Sequence, residues 1–249
     1  MEEQYKLYNG DCLEVMKDIK DKSIDMILCD LPYGTTICKW DVIIPFDELW
    51  KQYNRIIKDN GVILLFGTEP FSSKLRCSNL KNYKYDWVWY KSRAFNFFNA
   101  KKQPLKYHEI ISVFYKKQPQ YYPIMRKGEK NHRTKPVANK SNLLNNITKE
   151  VINTSDMKYP KSIIEIKSTD STKNLHPTQK PIALLEYLIK TYTNEKDTVL
   201  DNTMGSASTG IACINTNRNF IGIEKDDKYF DISCDRINTY IKDNNLENI

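Results

Sequence analysis

A short apolar stretch that ends at a carboxylate and a proline restricts the folds open to this chain more than any other feature. Residues 24–29 form a nearly continuous apolar run, as buried parallel strands do. The run stops at the sequence Asp-Leu-Pro-Tyr of residues 30–33. Ligands of open α/β sheets lie beyond the carboxyl ends of the strands. This strand would therefore deliver an acceptor, a fixed backbone carbonyl and an aromatic ring to that crevice.

These groups suit the chemistry of an exocyclic amine on a nucleobase, which is a poor nucleophile because its lone pair is delocalised into the ring. Asp30 and the carbonyl of the Leu31-Pro32 segment could accept both amino hydrogens and stabilise the positive charge that develops on the nitrogen. Tyr33 would stack on a base that has left the duplex. The alternative is structural: a strand followed by a Pro-Tyr turn, with Asp30 capping a neighbouring group.

A strand-loop-helix-strand unit near the C-terminus has the features of a nucleoside site. The sequence predicts strands over residues 198–201 and 220–224, with a loop and a helix between them. Gly205 in that loop would let the backbone approach a ligand closely. Glu224 lies 19 residues beyond Gly205, near the ~20-residue spacing at which an acid reaches ribose hydroxyls.

The same loop lacks the sequence features of two other kinds of nucleotide-binding site. A phosphate-binding P-loop needs Lys-Ser or Lys-Thr after its last glycine, whereas Gly210 is followed by Ile-Ala. A dinucleotide site usually has three glycines and a second βαβ half, for which about 40 residues remain. A nucleoside cofactor without phosphates requires neither feature.

The charge is concentrated in one segment. The net charge is +7, but residues 91–140 hold 13 Lys and Arg against Glu109 and Glu129. A mildly acidic body that carries one strongly basic segment is the pattern expected of a nucleic-acid-binding protein. Lysine enrichment from coding bias is the alternative, but such a bias would not remove acids from this segment alone.

Composition limits the compartment and the number of domains. A chain of 249 residues can form one α/β core with an insertion, or two small domains. The six cysteines include no Cys-x-x-Cys pair, so neither a zinc site nor a disulfide framework is expected. The N-terminus is polar, and no apolar run reaches the ~20 residues of a membrane span. We expect a cytoplasmic protein without a metal site.

Hydrophobic periodicity predicts the remaining elements. Asp59-Asn60-Gly61 is predicted as a turn, and residues 116–174 show no regular pattern. The predicted strands are 5–9, 62–66, 85–90 and 108–115, and the predicted helices are 10–19, 45–57, 71–80, 182–189 and 229–241.

Three stretches together resemble the DNA amino-methyltransferases, which use S-adenosylmethionine to methylate adenine N6 or cytosine N4. Asp30-Leu31-Pro32-Tyr33 matches three of the four positions of the family signature (Asp/Asn/Ser)-Pro-Pro-(Tyr/Phe/Trp), with Leu31 as the departure. Residues 176–181, His-Pro-Thr-Gln-Lys-Pro, match the element that meets the methionine end of the cofactor. Residues 201–209 correspond to Asp-Pro-Phe-x-Gly-Ser-Gly-Thr-Thr, with Asn202 and Thr203 in place of Pro-Phe, Ala207 in place of the second glycine and Ser208 in place of the first threonine. The missing phenylalanine suggests Ile223 as a packing partner for the adenine of the cofactor.

The resemblance implies an α/β fold with a Rossmann-like, doubly wound, mostly parallel sheet, a circularly permuted class I methyltransferase with an inserted DNA-recognition region. The implied domains are a catalytic half (1–115), a target-recognition insertion (116–174) and a cofactor-binding half (175–249). S-adenosylmethionine is the implied cofactor. The implied catalytic residues are Asp30, Pro32 and Tyr33. The implied cofactor-binding residues are Asp11, Cys12, Asp30, His176, Thr178, Lys180, Asp201, Thr203, Gly205, Ser206, Glu224 and Lys225.

DNA is the implied substrate, and its contacts are predicted from charge and position. The candidates are Lys39, Lys116, Lys117, Arg126, Lys127, Arg133 and Lys135. Along the chain, the catalytic stretch comes first, the basic segment second and the cofactor loop last. This order resembles the order in the β group of these enzymes. Asp30 favours adenine N6 as the target, because the cytosine enzymes more often carry Ser there. Cytosine N4 methylation and a catalytically decayed DNA-binding relative are the alternatives. A homodimer and a cognate restriction endonuclease are candidate partners by analogy.

Overall fold

The structure, a computed structural model, describes residues 4–36, 38, 41–129, 156–168 and 179–246. Contacts divide the chain into one compact unit of Met1–Tyr122 with Ser162–Ile249, and a second of Pro123–Lys161. The strands are β1 Tyr5–Asn9, β2 Ile24–Cys29, β3 Ile57–Gly67, β4 Tyr83–Phe95, β5 Lys106–Phe114, β6 Arg126–Lys127, β7 Met157–Lys158, β8 Ile163–Glu165, β9 Thr198–Asp201 and β10 Asn219–Glu224. The helices are α1 Cys12–Val15, α2 Phe46–Ile56, α3 Phe71–Ser78, α4 Ile182–Tyr192, α5 Ser208–Asn215 and α6 Asp227–Asp243.

Eight strands form one mostly parallel sheet in the order β1-β10-β9-β2-β3-β5-β4-β8. The first five strands of this order are parallel to one another. Strand β5 runs antiparallel to both β3 and β4, and β8 is parallel to β4. The carboxyl ends of the five parallel strands therefore meet at a single edge of the sheet. This confirms the predicted α/β class.

Helices cover both faces of the sheet, and strand alternation explains why. Met26 and Leu28 of β2 point into a core that they share with α4 and α5. Ile27 and Cys29 point into a second core, shared with α2 and α3. Successive side chains of a strand face opposite sides, so a strand buried on both faces must be apolar at almost every position. The apolar run of residues 24–29 meets that requirement.

The predicted turn at Asp59-Asn60-Gly61 is wrong, because these residues lie within β3. Pairing with β2 is irregular there: Ile24 pairs with Ile57, and the next pair is Met26 with Val62. The turn-forming residues make a bulge instead of reversing the chain. At Gly61 an added Cβ would lie 2.7 Å from the Ile57 side chain and 2.9 Å from the Asp25 carbonyl oxygen, so the bulge has no space for a side chain.

The segment predicted to be irregular, residues 116–174, holds three short strands among its described residues. Strands β6 and β7 pair as an antiparallel ribbon inside the second unit. Strand β8 instead joins the edge of the main sheet beside β4. Strands of two or three residues carry too few side chains to give a periodic signal, which is why the sequence did not reveal them.

Candidate active site and cofactor pocket

A cavity of about 550 Å³ opens at the edge where the parallel strands end. Its volume lies in the range of small-molecule and cofactor sites. Loops that follow β1, β2, β9 and β10 form its wall, together with the chain that leads into α4. Apart from Ile223, the predicted catalytic and cofactor-binding residues in the described part of the chain all line it: Asp11, Cys12, Asp30, Pro32, Tyr33, Lys180, Asp201, Thr203, Gly205, Ser206, Glu224 and Lys225.

Asp30 lies directly after β2, and both of its carboxylate oxygens accept hydrogen bonds. The Tyr33 hydroxyl donates to Oδ1, and the Lys180 ammonium contacts Oδ2. The backbone carbonyl of Asp30 accepts from Thr203 Oγ1 at 3.2 Å. Burial raises the pKa of the Asp30 carboxyl, and the Lys180 ammonium opposes that rise. The carboxylate is thus fixed in orientation and less acidic than an exposed aspartate.

Two further charged side chains complete a buried cluster around Asp30. Glu109 of β5 contacts the Lys91 ammonium of β4, and its Oε2 lies 3.5 Å from Lys180 Nζ. Lys91 is 4% exposed and Lys180 8%. The two ammonium groups and two carboxylates balance, which limits the cost of burying them. Burial would lower the pKa of Lys180, but Asp30 and Glu109 outweigh burial and raise it.

Asp41 holds the loop that carries the Asp-Leu-Pro-Tyr sequence. Its Oδ1 accepts from the backbone N–H groups of Tyr33 and Gly34 at 2.7 and 2.8 Å. Its Oδ2 accepts from Thr35 and Thr36 at 2.9 and 2.7 Å. Burial would raise the pKa of Asp41, but these N–H donors lower it overall. This role was not predicted, because residues 35–41 have no periodic pattern.

The loop after β9 is fixed by Asp201 at its start and by Arg236 from α6. Asp201 Oδ2 accepts from Thr209 Oγ1 at 2.6 Å, and Oδ1 accepts from Thr203 N at 3.2 Å. Arg236 donates to the Ser206 carbonyl oxygen at 2.6 Å. Burial raises the pKa of Asp201 to about 7, although the Thr209 hydroxyl works in the opposite direction. Arg236 was not predicted, since nothing in a helical sequence shows which loop an arginine reaches.

Two acidic side chains stand at the β10 and β1 ends of the cavity. Glu224 Oε2 accepts from Gly205 N at 2.9 Å, which ties the glycine loop to β10. Gly205 has φ +53°, in the left-handed region that favours glycine. Asp11 caps α1 by accepting from Leu13 N at 2.9 Å, and its other oxygen lies 3.0 Å from Lys225 Nζ. Both acids keep unused lone pairs for a ligand.

The lining fits a nucleoside-type ligand. The side-chain amide Nδ2 of Asn202 is buried and has no hydrogen-bond partner among the described residues, while Asn202 lines the cavity. A buried donor without a partner is costly unless a ligand accepts from it. Carboxylate acceptors, a positive-φ glycine and apolar side chains such as Leu13 and Ile44 surround the same space.

One proposed adenine contact is corrected by the structure. Ile223 is fully buried in the core between the sheet and α1–α3, and it is not among the described residues that line the cavity. The residue that follows β9 in place of the family's proline, Asn202, lines the cavity instead.

Two of the predicted DNA contacts, Lys116 and Lys117, are not among the described residues that line the cavity. Lys116 Nζ contacts the Asn54 carbonyl oxygen at 3.0 Å, and Lys117 lies 3.4 Å from Asp59. Both follow the C-terminal end of β5, which lies at the opposite edge of the sheet from Asp30. The remaining candidates are either on β6 in the second unit, namely Arg126 and Lys127, or outside the described residues, namely Lys39, Arg133 and Lys135. The cofactor candidates His176 and Thr178 also lie outside the described residues.

The described residues contain neither a candidate metal site nor a candidate membrane span. No group of three or more His, Cys, Asp or Glu side chains there could hold a metal ion. None of the described helices combines the length and apolar character needed to span a bilayer.

Comparison with known proteins identifies the family. The model of the N6/N4 DNA methylase family matches residues 24–235. Type II methyltransferase M2.MboI of Moraxella bovis is 28% identical over 93% of this chain and 87% of its own length. Type II methyltransferase M.HpaI of Haemophilus parainfluenzae is 25% identical over 94% and 74%. The chain therefore belongs to the DNA amino-methyltransferases.

Solved structures agree with this assignment. The crystal structure of the M1.HpyAVI-SAM complex matches with a TM-score of 0.65 and 28% identity, covering 94% of this chain and 99% of that one. The PvuII DNA methyltransferase, described as cytosine-N4-specific, has the same fold with a TM-score of 0.65 and 16% identity, covering 92% and 85%. The fold is that of the class I DNA methyltransferases, and S-adenosylmethionine is the cofactor.

Proposed function

We propose that this DNA methyltransferase transfers a methyl group to the N6 of adenine in DNA, and that Asp30 and the neighbouring backbone carry the reaction. The observation that carries the proposal is the position of the Asp30 carboxylate: it lies inside the predicted cofactor cavity, held by Tyr33 and Lys180. Bound S-adenosylmethionine supplies a methyl group on a positively charged sulfur. The protein's task is to present an amine to it.

The side chains present support that task. Each oxygen of a carboxylate can accept more than one hydrogen bond, so Asp30 can accept from an amino group while it keeps Tyr33 and Lys180. A carbonyl of the Leu31-Pro32 segment would take the second amino hydrogen. These acceptors favour a tetrahedral nitrogen and stabilise its developing positive charge. Asp30 is also placed to take up the proton that the methylated nitrogen loses.

Base flipping brings the target to this cavity in the proposed reaction. A paired base presents its amino group inside the duplex, so it must leave the helix to meet a buried carboxylate. The Tyr33 ring is packed at 4.8 Å and 31° against Phe71, which holds it in place to stack on the base.

Cytosine N4 is the second candidate target. The shared fold does not separate the two, because a cytosine-N4-specific enzyme has it as well. The preference for adenine rests on aspartate at position 30, where family resemblance associates serine with the cytosine enzymes.

The partners are also proposed by analogy. A homodimer and a cognate restriction endonuclease are proposed by analogy with Type II relatives. The six free cysteines support a reducing, cytoplasmic setting.

The test combines cofactor binding, turnover and product identity. Asp30→Ala should bind S-adenosylmethionine with affinity within a few-fold of wild type and lose at least about 100-fold in turnover, as removal of one transition-state contact does. The matched control is Asp231→Ala, which removes an exposed carboxylate of α6 and should leave both unchanged. Calorimetric titration measures binding, and mass analysis of nucleosides from methylated DNA identifies the product. N4-methylcytosine as sole product, or turnover retained by Asp30→Ala, would reject the proposal.

A further inference from the structure

The connection between β4 and β5 carries two phenylalanines that the fold leaves in solvent. We call residues 92–107 the hairpin tip. Phe98 is 100% exposed and Phe97 74%. Two adjacent exposed phenylalanines are unusual, because the burial of an aromatic side chain away from water is favourable. Large exposed apolar side chains in such a group mark a contact surface.

The hairpin tip holds these rings on an ordered backbone. Asn96 ends β4 with φ +61°, and its side-chain oxygen accepts from Lys106 N at 2.9 Å across the hairpin. A single 3₁₀ turn then follows, in which Ala100 N donates to the Phe97 carbonyl oxygen at 3.0 Å. The tip is therefore a defined turn that presents both rings outward.

Charge complementarity shows which kind of partner fits. The hairpin tip contains Arg93, Lys101, Lys102 and Lys106 and no acidic residue. The first three are exposed. A protein partner or a second copy of the chain would bury these charges without compensation unless it supplied acids, whereas a polyanion matches all four. Aromatic rings among basic side chains are the combination that binds bases and phosphates together.

The position of the hairpin tip relates it to the catalytic carboxylate. Strand β5 begins at the edge where β3 ends, since Gly67 pairs with Ile110. Glu109, one residue earlier in β5, contacts Lys180, which contacts Asp30. The hairpin tip continues from this point, on the same edge of the sheet, and is not among the described residues that line the cavity.

We propose that the hairpin tip is a duplex-DNA contact, in which the basic side chains bind phosphates and Phe97 and Phe98 stack on bases at the target position. Apolar wedges of this kind partly unstack a base step and lower the cost of extruding a nucleotide. This inference deepens the proposed function because it rests on DNA as the substrate, but it does not depend on which base is methylated.

The aromatic part is tested by Phe97→Ala with Phe98→Ala in one chain. We expect methyl transfer to bacteriophage lambda DNA and affinity for a labelled 30-base-pair duplex each to fall by about tenfold or more. The affinity for S-adenosylmethionine should stay within twofold. The matched control is Leu80→Ala, an apolar side chain 63% exposed at the opposite edge of the sheet, which should change none of the three.

The basic part is tested by Lys101→Ala with Lys102→Ala. The slope of log affinity against log salt should fall by about 2 in magnitude, about 0.9 for each lost phosphate contact. The matched control, Lys20→Ala with Lys81→Ala, removes two exposed lysines near the opposite edge and should keep the wild-type slope.

Two results would overturn the inference. One is a phenylalanine variant with wild-type duplex affinity and wild-type methyl transfer. The other is a variant that sediments as a monomer where wild type is a dimer, which would assign the rings to self-association. Duplex affinity is measured without turnover. A wild-type enzyme that binds DNA but methylates cytosine N4 would reject adenine as the target base. The duplex affinity of the phenylalanine variant would still test the hairpin tip in that case.

Discussion

At the residue scale, the reactivity of Asp30 depends on side chains that come from distant parts of the sequence. Burial raises its pKa, the Lys180 ammonium lowers it, and the Glu109 carboxylate raises it further. In the proposed reaction an ionised Asp30 accepts amino hydrogens, so its pKa would set the acid limit of activity. On that proposal, the charged cluster determines the pH at which activity begins.

Glu109→Gln tests this tuning. The substitution removes an anion that raises the pKa of Asp30, so the acid limb of the pH–rate profile should move to lower pH. It also leaves Lys91 and Lys180 without one carboxylate, so the free energy of unfolding should fall by about 3 kcal/mol. Rates measured from pH 5 to pH 9, beside the exposed control Glu48→Gln, would show the shift. An acid limb that stays at the wild-type pH would mean that Glu109 serves folding alone.

Asp201 provides a second test that uses stability. Its pKa is raised to about 7 by burial, so the folded chain holds a proton that the unfolded chain releases near 3.8. The contribution of this group to stability is therefore greatest at low pH and declines as pH rises from about 4 to about 7. Asp201→Asn removes the titration, so its stability relative to wild type should improve from pH 5 to pH 8. Urea unfolding at both pH values measures this, and parallel pH profiles would contradict it.

At the element scale, the loop after β2 owes its shape to a single carboxylate. Four consecutive backbone N–H groups donate to Asp41, from Tyr33 to Thr36. A carboxylate bound in this way fixes the orientation of the Asp-Leu-Pro-Tyr sequence through the backbone N–H of its last residue, Tyr33. The loop is therefore built before any ligand arrives, which favours catalysis.

Asp41→Asn should loosen that loop. An amide replaces one acceptor oxygen with a donor that faces N–H groups, so at least one charge-assisted hydrogen bond is lost, at a cost of about 2 kcal/mol. We expect a lower unfolding midpoint in urea together with a turnover reduced more than S-adenosylmethionine affinity. Asp47→Asn, at an exposed position of α2, is the control. A variant with wild-type turnover would show that Asp41 does not position the catalytic loop.

Elements with strong local signals were predictable from the sequence. The apolar runs of β2 and β9 and the spacing from Gly205 to Glu224 identified the strands and the loop that form the cavity. Local patterns failed where tertiary structure decides the outcome. The turn-like residues of β3 became a bulge, and β8 was too short to recognise.

The site was predictable in its ligand-facing residues but not in those that support them. Asp30 and Glu224 stand at strand ends, which sequence can locate. Asp41, Glu109 and Arg236 act through contacts with residues far away in the chain, or across an irregular loop. A single sequence contains no record of such pairings, so only the folded structure reveals them.

At the scale of the whole molecule, the sheet topology brings loops from the two halves of the chain to one cavity. Strand β2 from the first half of the chain lies beside β9 from the second half, so the catalytic loop and the cofactor loop open into the same cavity. The direct contact from Thr203 to the Asp30 carbonyl joins them. The basic hairpin tip lies on this same edge, which gives the molecule one face for substrate and cofactor.

A crystal structure of the protein with bound S-adenosylmethionine would show whether Asp30 and the cofactor share one site. We expect the cofactor to lie along the Gly205 loop, with its ribose hydroxyls at Glu224 and its methyl group directed toward the space beside the Asp30 carboxylate. A reactive pair would then need a separation of only about 3–3.5 Å between methyl carbon and amino nitrogen. A cofactor bound elsewhere, with its methyl group remote from Asp30, would contradict the account.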